Sequence, residues 1–183
     1  MAAKPRGPAR GELRATGSGG AEAPEGAKTN AMRILDSQRI PYRAFYYSSD
    51  ILSAEGVARA MGVEPSSVYK TLVVLRERGR PMLVMVPGGF QLNLKLMARA
   101  VGEKSVRMAS QKEAERLTGL RVGGISALAL LNRGFDVFID QSALSLDEVI
   151  ISAGRRGIDL RLKVSDLIRV ARAKPVLVAE VAP

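Results

Sequence analysis

Residues 68–77 read VYKTLVVLRE, and after RGRP at 78–81 the chain continues with MLVMVP at 82–87. Two apolar runs rich in β-branched residues, separated by a short turn with Gly and Pro, predict a β-hairpin. Side chains alternate along a strand, so Lys70 shares a face with apolar residues two positions away, and Thr71 lies on the opposite face. An ammonium group on an apolar face is costly unless it is paired or directed into a polar cleft. The alternative is an edge-strand lysine whose long side chain reaches water.

The segments around this hairpin mix short helices and strands without regular alternation. Helices are predicted where a capping residue precedes an amphipathic run, and strands where apolar residues alternate or cluster. The predicted helices are 31–40, 54–62 after Ser53, 94–102 after Asn93, 111–119 after a capping box of Ser110 and Glu113, and 166–173 after Ser165; the other predicted strands are 43–49, 105–109, 135–140, 147–152, 158–163 and 176–181. This mixture predicts an α+β fold with a curved mixed, partly barrel-like β-sheet flanked by short helices.

The first 30 residues differ in composition from the rest of the chain. They consist mainly of Gly, Ala, Pro, Arg and Glu, with Leu13 as the one large aliphatic residue after Met1. Such a segment cannot bury enough apolar surface to order itself. We therefore predict a flexible tail at 1–30 and a single domain at 31–183, which is long enough to form a hydrophobic core.

Composition limits the chemistry and indicates the kind of partner. The chain has no cysteine and no histidine, which excludes disulfides, Ser-His-Asp and Cys-His sites, and zinc sites built on thiolate or imidazole. Its net charge is +10, and residues 31–183 still hold 23 basic and 15 acidic side chains, which favours a polyanionic partner such as nucleic acid. The sequence shows no run of about 18 apolar residues and no signal-peptide pattern, so we expect a cytoplasmic protein outside the membrane.

Two loops carry residues that suit a substrate site. RVGGIS at 121–126 has paired glycines, which let backbone N–H groups approach a phosphate or carbonyl, and its Ser126 hydroxyl could orient water or a ribose. ISAGRRGIDL at 151–160 combines small residues with Arg155 and Arg156, a pair suited to phosphate. An ordinary tight turn and a hairpin with solvated charges are the respective alternatives.

Several segments agree, in order and spacing, with one known family. They are IPY at 40–42 with the aromatic strand that follows, MGVEPSSVYKTLVV at 61–74, LNLKLMARAVG at 92–102, SQKEAERLTGLRVGGIS at 110–126 and SAGRRGIDLRL at 152–162. From residue 31 to about residue 175 the chain resembles the YbaK family of editing domains associated with prolyl-tRNA synthetase. The resemblance implies a hydrolase that acts in trans on mischarged tRNA, typically tRNA(Pro) carrying Cys or Ala, with prolyl-tRNA synthetase as a candidate partner.

The resemblance also assigns roles to residues. The family's essential lysine falls on Lys70, which becomes the predicted catalytic residue. The substrate-binding residues that it implies are Tyr47, Thr71, Gly123, Gly124, Ile125, Ser126, Ser152, Gly154 and Asp159. Arg155 and Arg156 become candidates for RNA contact. No metal ion, other cofactor or DNA is implied, and the ester is attacked by the substrate's own thiol, the vicinal ribose hydroxyl or an ordered water. Ala127 and Ala153 replace a proline and a glycine of the family pattern, which leaves the amino acid that is removed open.

The sequence leaves two other functions open. One is a non-catalytic module that binds tRNA or a synthetase and regulates it. The other is a basic nucleic-acid-binding domain unconnected with editing, which would bind many RNAs in a salt-sensitive manner whether or not they are aminoacylated. Turnover of an aminoacyl ester by the purified protein distinguishes a deacylase from both.

Overall fold

A computed structural model describes residues 14–17 and 28–181, and most of the strands belong to one mixed sheet. The strands are β1 (Arg14–Gly17), β2 (Arg43–Tyr46), β3 (Val68–Arg76), β4 (Met82–Pro87), β5 (Phe90–Leu92), β6 (Val106–Met108), β7 (Asp136–Asp140), β8 (Glu148–Arg155), β9 (Ile158–Lys163), β10 (Lys174–Val176) and β11 (Ala179–Val181). Nine of these described strands form a sheet in the order β1, β2, β9, β8, β3, β4, β7, β10, with β6 paired to β3; β5 and β11 pair separately. The predicted α+β class with a mixed sheet is confirmed.

Short helices flank the sheet in the described part of the chain. They are α1 (Asn30–Ser37), α2 (Ala54–Met61), α3 (Leu94–Ala100), α4 (Gln111–Thr118) and α5 (Val164–Ala171), with 3₁₀ turns at Pro65–Ser67 and Gln141–Ser145. Side-chain caps are confirmed at Ser53, Asn93 and Ser110. The predicted Ser165 cap is wrong, because α5 begins at Val164, whose N–H donates to the carbonyl of Asp147 at 3.0 Å. That tertiary contact satisfies the first amide of the helix and fixes its start without a side-chain cap.

The hairpin of β3 and β4 forms as predicted, and its two faces meet different parts of the core. Tyr69 and Val73 pack into the main hydrophobic cluster on one face. On the other face, Val68 packs under α2, whereas Val74 belongs to a separate cluster with β4 and α3. Lys70 therefore lies on an apolar face at the boundary between two clusters, where an ammonium group does not have to displace packed side chains.

The predicted last strand at 176–181 is wrong as a single element. Its first part belongs to β10, which runs parallel to β7, and its last part is β11, which pairs with the unpredicted strand β5. Between them the chain turns around the buried Asp140 carboxylate. Asp140 Oδ2 accepts the N–H groups of Val178 and Ala179 at 2.9 and 2.8 Å, and Oδ1 accepts that of Ser142 at 3.0 Å. The Asp140 side chain of β7 thus divides the run at 176–181 into two strands.

The first 30 residues fall mostly outside the described residues. Residues 14–17 form β1, which pairs antiparallel with β2 at the edge of the large sheet. Helix α1 begins at Asn30, where the Thr29 hydroxyl accepts the N–H of Met32. The flexible tail at 1–30 and the domain boundary at residue 31 stay predictions. None of the described helices combines the length and apolar composition that crossing a membrane requires.

Replacing the Asp140 carboxylate should destabilise the fold. Burial raises its pKa, but the hydrogen bonds that it accepts from Ser142, Val178 and Ala179 outweigh burial and hold the pKa below its usual value. Asp140→Ala leaves these backbone donors without their acceptor, and we expect the free energy of unfolding to fall by about 2–4 kcal/mol in urea titrations. The control Asp166→Ala breaks a surface ion pair with Arg169 and should cost no more than about 1 kcal/mol. Equal losses in the two variants would contradict the role given to Asp140.

Candidate active site

A small cavity lies where α2, β3, β8, β9 and the loop at 122–125 meet. Its volume is about 150 Å³. Seven of the predicted site residues line it, namely Tyr47, Lys70, Thr71, Gly123, Ile125, Ser152 and Asp159; apolar wall is added by Leu52, Ala54, Val57, Val68, Leu72 and Val122. A mostly apolar wall with a few polar groups is typical of a small-molecule site, although this one is smaller than the sites that hold drug-sized ligands. The size suits a group such as one amino acid.

The register of three neighbouring strands brings the polar residues of the cavity together. β3 pairs in parallel with β8 through Tyr69 and Ile151, so the next residues in that register are Lys70 and Ser152. On the other side of β8, Ser152 pairs with Asp159 of β9. Neighbouring strands lie about 4.8 Å apart, so the backbones of Lys70 and Asp159 are separated by two such spacings. Both residues line the same cavity.

Asp159 is a buried carboxyl group in the cavity wall, with only 4% of the residue exposed. The hydroxyl of Tyr47 donates to its Oδ1 at 2.8 Å. Burial raises the pKa of Asp159 to about 6, and the hydrogen bond from Tyr47 acts in the opposite direction. Burial and the neighbouring Asp159 charge both raise the pKa of the Tyr47 hydroxyl, which therefore stays a hydrogen-bond donor. The pair presents an acid that is mostly ionised at pH 7 in an apolar wall.

Two polar groups on β3 lack the partners that buried groups usually have. Among the described residues, the Thr71 Oγ1 atom is buried and has no hydrogen-bonding partner. The half-buried Lys70 makes no ion pair or hydrogen bond there either. An unsatisfied buried polar group costs about 1–3 kcal/mol, and a native structure that keeps one calls for an explanation. A ligand in the cavity would supply the partner that Lys70 lacks, whereas the Thr71 hydroxyl is sealed from solvent and stays unsatisfied among the described residues.

Glu55 is a neighbour of Lys70 that the sequence analysis did not identify. Its Oε1 accepts the N–H of Gly89 at 2.7 Å, and this hydrogen bond, with the charge of Lys70 as a smaller contribution, lowers the pKa of Glu55. The Ser53 cap predicted α2, but it gave no special meaning to Glu55, because acidic residues are common in the first turn of a helix. Nothing in the sequence connected this helix with Lys70, because their contact depends on how α2 packs over the sheet.

The glycine-rich loop is fastened to the hairpin between β8 and β9. A Cβ atom on Gly124 would lie 2.8 Å from the backbone nitrogen of Arg156, so only glycine permits this approach. Arg156 Nε donates to the carbonyl of Val122 at 2.6 Å. On the hairpin side, Gly154 adopts a left-handed φ of +98° and comes close to the Ala129 side chain. These contacts fix the position of the two loops relative to each other.

Some predicted residues support the cavity without lining it. Gly124 and Gly154 serve the contact between the loops, and Ser126 is fully buried, with its hydroxyl accepting the N–H of Ala129 at 3.3 Å. The Ser126 hydroxyl therefore shapes the loop and does not face the cavity. Arg155 is exposed at the hairpin and Arg156 is bound to Val122; RNA contact by either stays a prediction.

The two departures from the family pattern lie away from the cavity. Ala127 and Ala153 are both buried in the main hydrophobic cluster, and neither residue belongs to the cavity lining. Their methyl groups fill core volume beneath the loops. The open question about the amino acid that is removed therefore rests on the wall of the cavity itself.

Comparison with known proteins relates this arrangement to a family. Residues 48–170 match the family model described as the aminoacyl-tRNA editing domain. A relative from Enterococcus faecalis, named as a candidate Cys-tRNA(Pro)/Cys-tRNA(Cys) deacylase, EbsC, is 37% identical over 137 residues, which are 74% of this chain and 83% of that protein. A proline–tRNA ligase of Thermodesulfovibrio yellowstonii is 33% identical over 89 residues, but these make up 49% of this chain and only 15% of the ligase.

Solved structures share the fold. The crystal structure of a hypothetical protein has a TM-score of 0.76 and 27% identity, covering 82% of this chain and 99% of that one. The crystal structure of a candidate trans-editing enzyme for prolyl-tRNA synthetase has a TM-score of 0.71 and 24% identity, covering 87% of this chain and 99% of its own. The whole of those two domains is thus represented in this chain.

The family match and the E. faecalis relative define the chain as a hydrolase of the aminoacyl-tRNA editing class. The match at 48–170 includes every residue of the cavity lining except Tyr47. The chain belongs to the aminoacyl-tRNA editing domain family, and its predicted membership of the YbaK family is confirmed. The predicted substrate class, aminoacyl-tRNA, and the predicted reaction, hydrolysis of its ester bond, are confirmed with it.

Asp159 should lower the stability of the protein at neutral pH. Well below its ordinary pKa of 3.8 the carboxyl group is protonated in both the folded and the unfolded chain. As pH rises from there through about 6 the unfolded chain ionises first, so stability is lost across this interval. We expect Asp159→Asn, which does not titrate, to gain about 2–3 kcal/mol over the wild type between pH 4 and pH 7.5. Urea unfolding at both pH values measures this gain. A difference between the two proteins that does not change with pH would contradict the buried acid.

Gly124→Ala should separate the glycine-rich loop from the hairpin. The added Cβ meets backbone atoms of Arg155 and Arg156 at 3.0 and 2.8 Å, and backbone cannot rotate away as a flexible side chain can. We expect a loss of about 1–3 kcal/mol in unfolding free energy and a fall in deacylation of about 100-fold, because the loop is displaced at the site. The control is Gly102→Ala at the end of α3, whose Cβ meets open space but whose left-handed φ of +72° strains the backbone and costs some stability away from the cavity. Deacylation by that variant should equal the wild-type rate; a similar fall in both would show that the contact is not specific.

Proposed function

We propose that this chain removes cysteine from mischarged tRNA(Pro) in trans, in the cytoplasm where translation takes place. The observation that carries the proposal is the cavity of about 150 Å³ in which Lys70 and Asp159 face one small space. The E. faecalis relative, of which 83% is matched, supports cysteine as the amino acid. The matches to parts of proline–tRNA ligases support tRNA(Pro) as the carrier and prolyl-tRNA synthetase as a candidate partner.

The ester bond between an amino acid and tRNA is already activated, so positioning and charge stabilisation can supply most of the catalysis. A nucleophile, either an ordered water or the thiol of the substrate, attacks the carbonyl carbon, and the bond to the ribose oxygen breaks as that oxygen takes up a proton. Lys70 places a compact positive charge near the carbonyl oxygen, where negative charge develops, or near the 5′ phosphate of the terminal adenosine.

Backbone amides of the glycine-rich loop are the second source of stabilisation. Of the two paired glycines, Gly124 already donates its N–H to the carbonyl of Arg121 at 2.9 Å. Gly123 and Ile125 line the cavity, and their amides are the donors that we assign to the developing oxyanion. The contact between Gly124 and the hairpin holds these two amides in place.

The rest of the tRNA would contact the surface outside the cavity. The domain carries an excess of eight positive charges over residues 31–183, which favours the phosphate backbone without reading sequence. Arg155, exposed beside the glycine-rich loop, remains the candidate for contact with a backbone phosphate near the 3′ end of the tRNA. Selection of tRNA(Pro) among other tRNAs would then come from this surface or from a complex with prolyl-tRNA synthetase.

Lys70 should be essential for deacylation and dispensable for folding. Lys70→Ala removes the charge from the cavity, and we expect hydrolysis of Cys-tRNA(Pro) to fall by at least about 100-fold. Lys70→Arg should also be poor, because a planar guanidinium group does not reproduce a compact charge in a small cavity. Loss of ester from radiolabelled Cys-tRNA(Pro), Ala-tRNA(Pro) and Pro-tRNA(Pro) is measured with and without prolyl-tRNA synthetase.

The matched control is Lys95→Ala, which removes an exposed lysine of α3 outside the cavity and should keep the wild-type rate. Thermal unfolding checks the fold of Lys70→Ala: a midpoint equal to that of the wild type shows that the fold is intact. Unchanged turnover in Lys70→Ala overturns the assignment of Lys70. Faster hydrolysis of an aminoacyl-tRNA other than Cys-tRNA(Pro) overturns the proposed substrate.

A further inference from the structure

Asp159 has one oxygen that the protein does not use. Its Oδ1 accepts the hydrogen bond from Tyr47, whereas Oδ2 accepts none from the described residues. The residue as a whole is only 4% exposed, but Oδ2 is not among the fully buried atoms that lack a partner, so it keeps some accessible surface. The residue lines the cavity together with Lys70. A buried carboxylate that keeps one oxygen toward an apolar cavity is costly unless a ligand brings a positive donor to it.

We propose that the Asp159 carboxylate binds the α-ammonium group of the aminoacyl moiety and thereby restricts the enzyme to aminoacyl-tRNA with an unblocked amino group. This inference rests on the proposed function, since it names the part of the substrate that the same cavity recognises. The chemical class excluded is N-acylated aminoacyl-tRNA, in which the ammonium group has become a neutral amide.

The charges in the cavity match the two ends of the reacting group. An aminoacyl ester has a cationic amino group on one side of its carbonyl and the phosphate-bearing ribose on the other. Among the described residues, the cavity lining holds one carboxylate, Asp159, and one ammonium group, Lys70, on strands separated by β8. The other ionisable side chains in its lining are Tyr47, which donates to Asp159, and Tyr69, whose hydroxyl is bonded to Ser142 outside the cavity. Asp159 is therefore the anion that remains for the substrate.

Ionisation of both partners is compatible with this contact near neutral pH. Asp159 has a pKa of about 6, and an α-amino group titrates near pH 8. Between these values the carboxylate and the ammonium group coexist, and each stabilises the charged form of the other. Acylation of the amino group removes the cation and leaves the buried carboxylate facing an uncharged amide.

The competing role for Asp159 is a general base that takes a proton from the attacking water. A base acts on the nucleophile and is indifferent to what the α-nitrogen carries. A binding partner of the ammonium group acts only on substrates that have one. The two roles therefore predict different results when the amino group is blocked, which makes a two-substrate experiment decisive.

The experiment compares Cys-tRNA(Pro) with N-acetyl-Cys-tRNA(Pro) as substrates of the wild type and of Asp159→Asn. We expect the wild type to hydrolyse the free-amine substrate at least about 100-fold faster, as measured by kcat/KM, since truncating one partner of a buried charge pair has effects of this order. Asp159→Asn should lose at least about 30-fold on the free-amine substrate and change by less than about threefold on the acetylated one. Its loss should shrink as pH falls below 6, because a growing fraction of the wild-type carboxyl groups is then protonated.

The control Glu148→Gln makes the same chemical change at an exposed position of β8 and should leave both rates unchanged. Equal losses on the two substrates in Asp159→Asn overturn the inference in favour of a general base. An unchanged preference for the free amine in that variant, or no preference in the wild type, also overturns it while the deacylase function stands.

A binding measurement gives a result that does not depend on turnover. Cysteine linked by a stable amide to 3′-amino-3′-deoxyadenosine, with its α-amino group free or acetylated, is titrated against the same proteins by calorimetry. Tighter binding of the free-amine analogue to the wild type, lost in Asp159→Asn, supports the inference; equal binding overturns it. If the wild type hydrolyses neither ester, the proposed function fails, and this titration still decides the role of Asp159.

Discussion

The short parallel ladder between β3 and β8 is the constraint on which the site depends. Two pairs of residues, Val68 with Ile150 and Tyr69 with Ile151, join the part of the sheet built from the hairpin to the part built from β8, β9 and β2. A shift of one residue in this ladder would turn every side chain of one strand to the other face. The ladder is short, but both faces of the sheet at this point pack against apolar clusters, and this packing fixes the register of the ladder.

The site collects several groups that cost free energy in the folded state. A carboxyl group is buried, a threonine hydroxyl has no partner in the part of the chain that the structure describes, and a lysine interrupts an apolar face. Each is tolerated because the surrounding structure is well satisfied, as at Asp140, where one carboxylate accepts three backbone N–H groups. Preorganisation of this kind exchanges stability for a cavity whose lysine and free carboxylate oxygen are, in the proposed function, available to the substrate.

Much of the local structure could be predicted from the sequence because it depends on near neighbours. Alternation along β3 gave the faces of Lys70 and Thr71, and the caps at Ser53, Asn93 and Ser110 rest on hydrogen bonds within one turn. The errors concern long-range contacts: the break after β10 depends on Asp140, and the start of α5 on a carbonyl of another segment. Resemblance to a family identified the residues around the cavity, but it could not tell those whose side chains face it from those, such as Ser126, that hold the loop.

The fastening of the glycine-rich loop to the hairpin between β8 and β9 also bears on how this domain can evolve. Positions 124 and 156 sit in mutual contact, so an insertion or a larger residue in one loop requires a matching change in the other. Leu52, Val122 and Ile125 belong to the wall of the cavity and take no part in that close approach of backbones. Relatives of this domain can therefore acquire new amino-acid preferences by exchanging wall residues singly, whereas a change in the length of either loop has to be inherited as a pair.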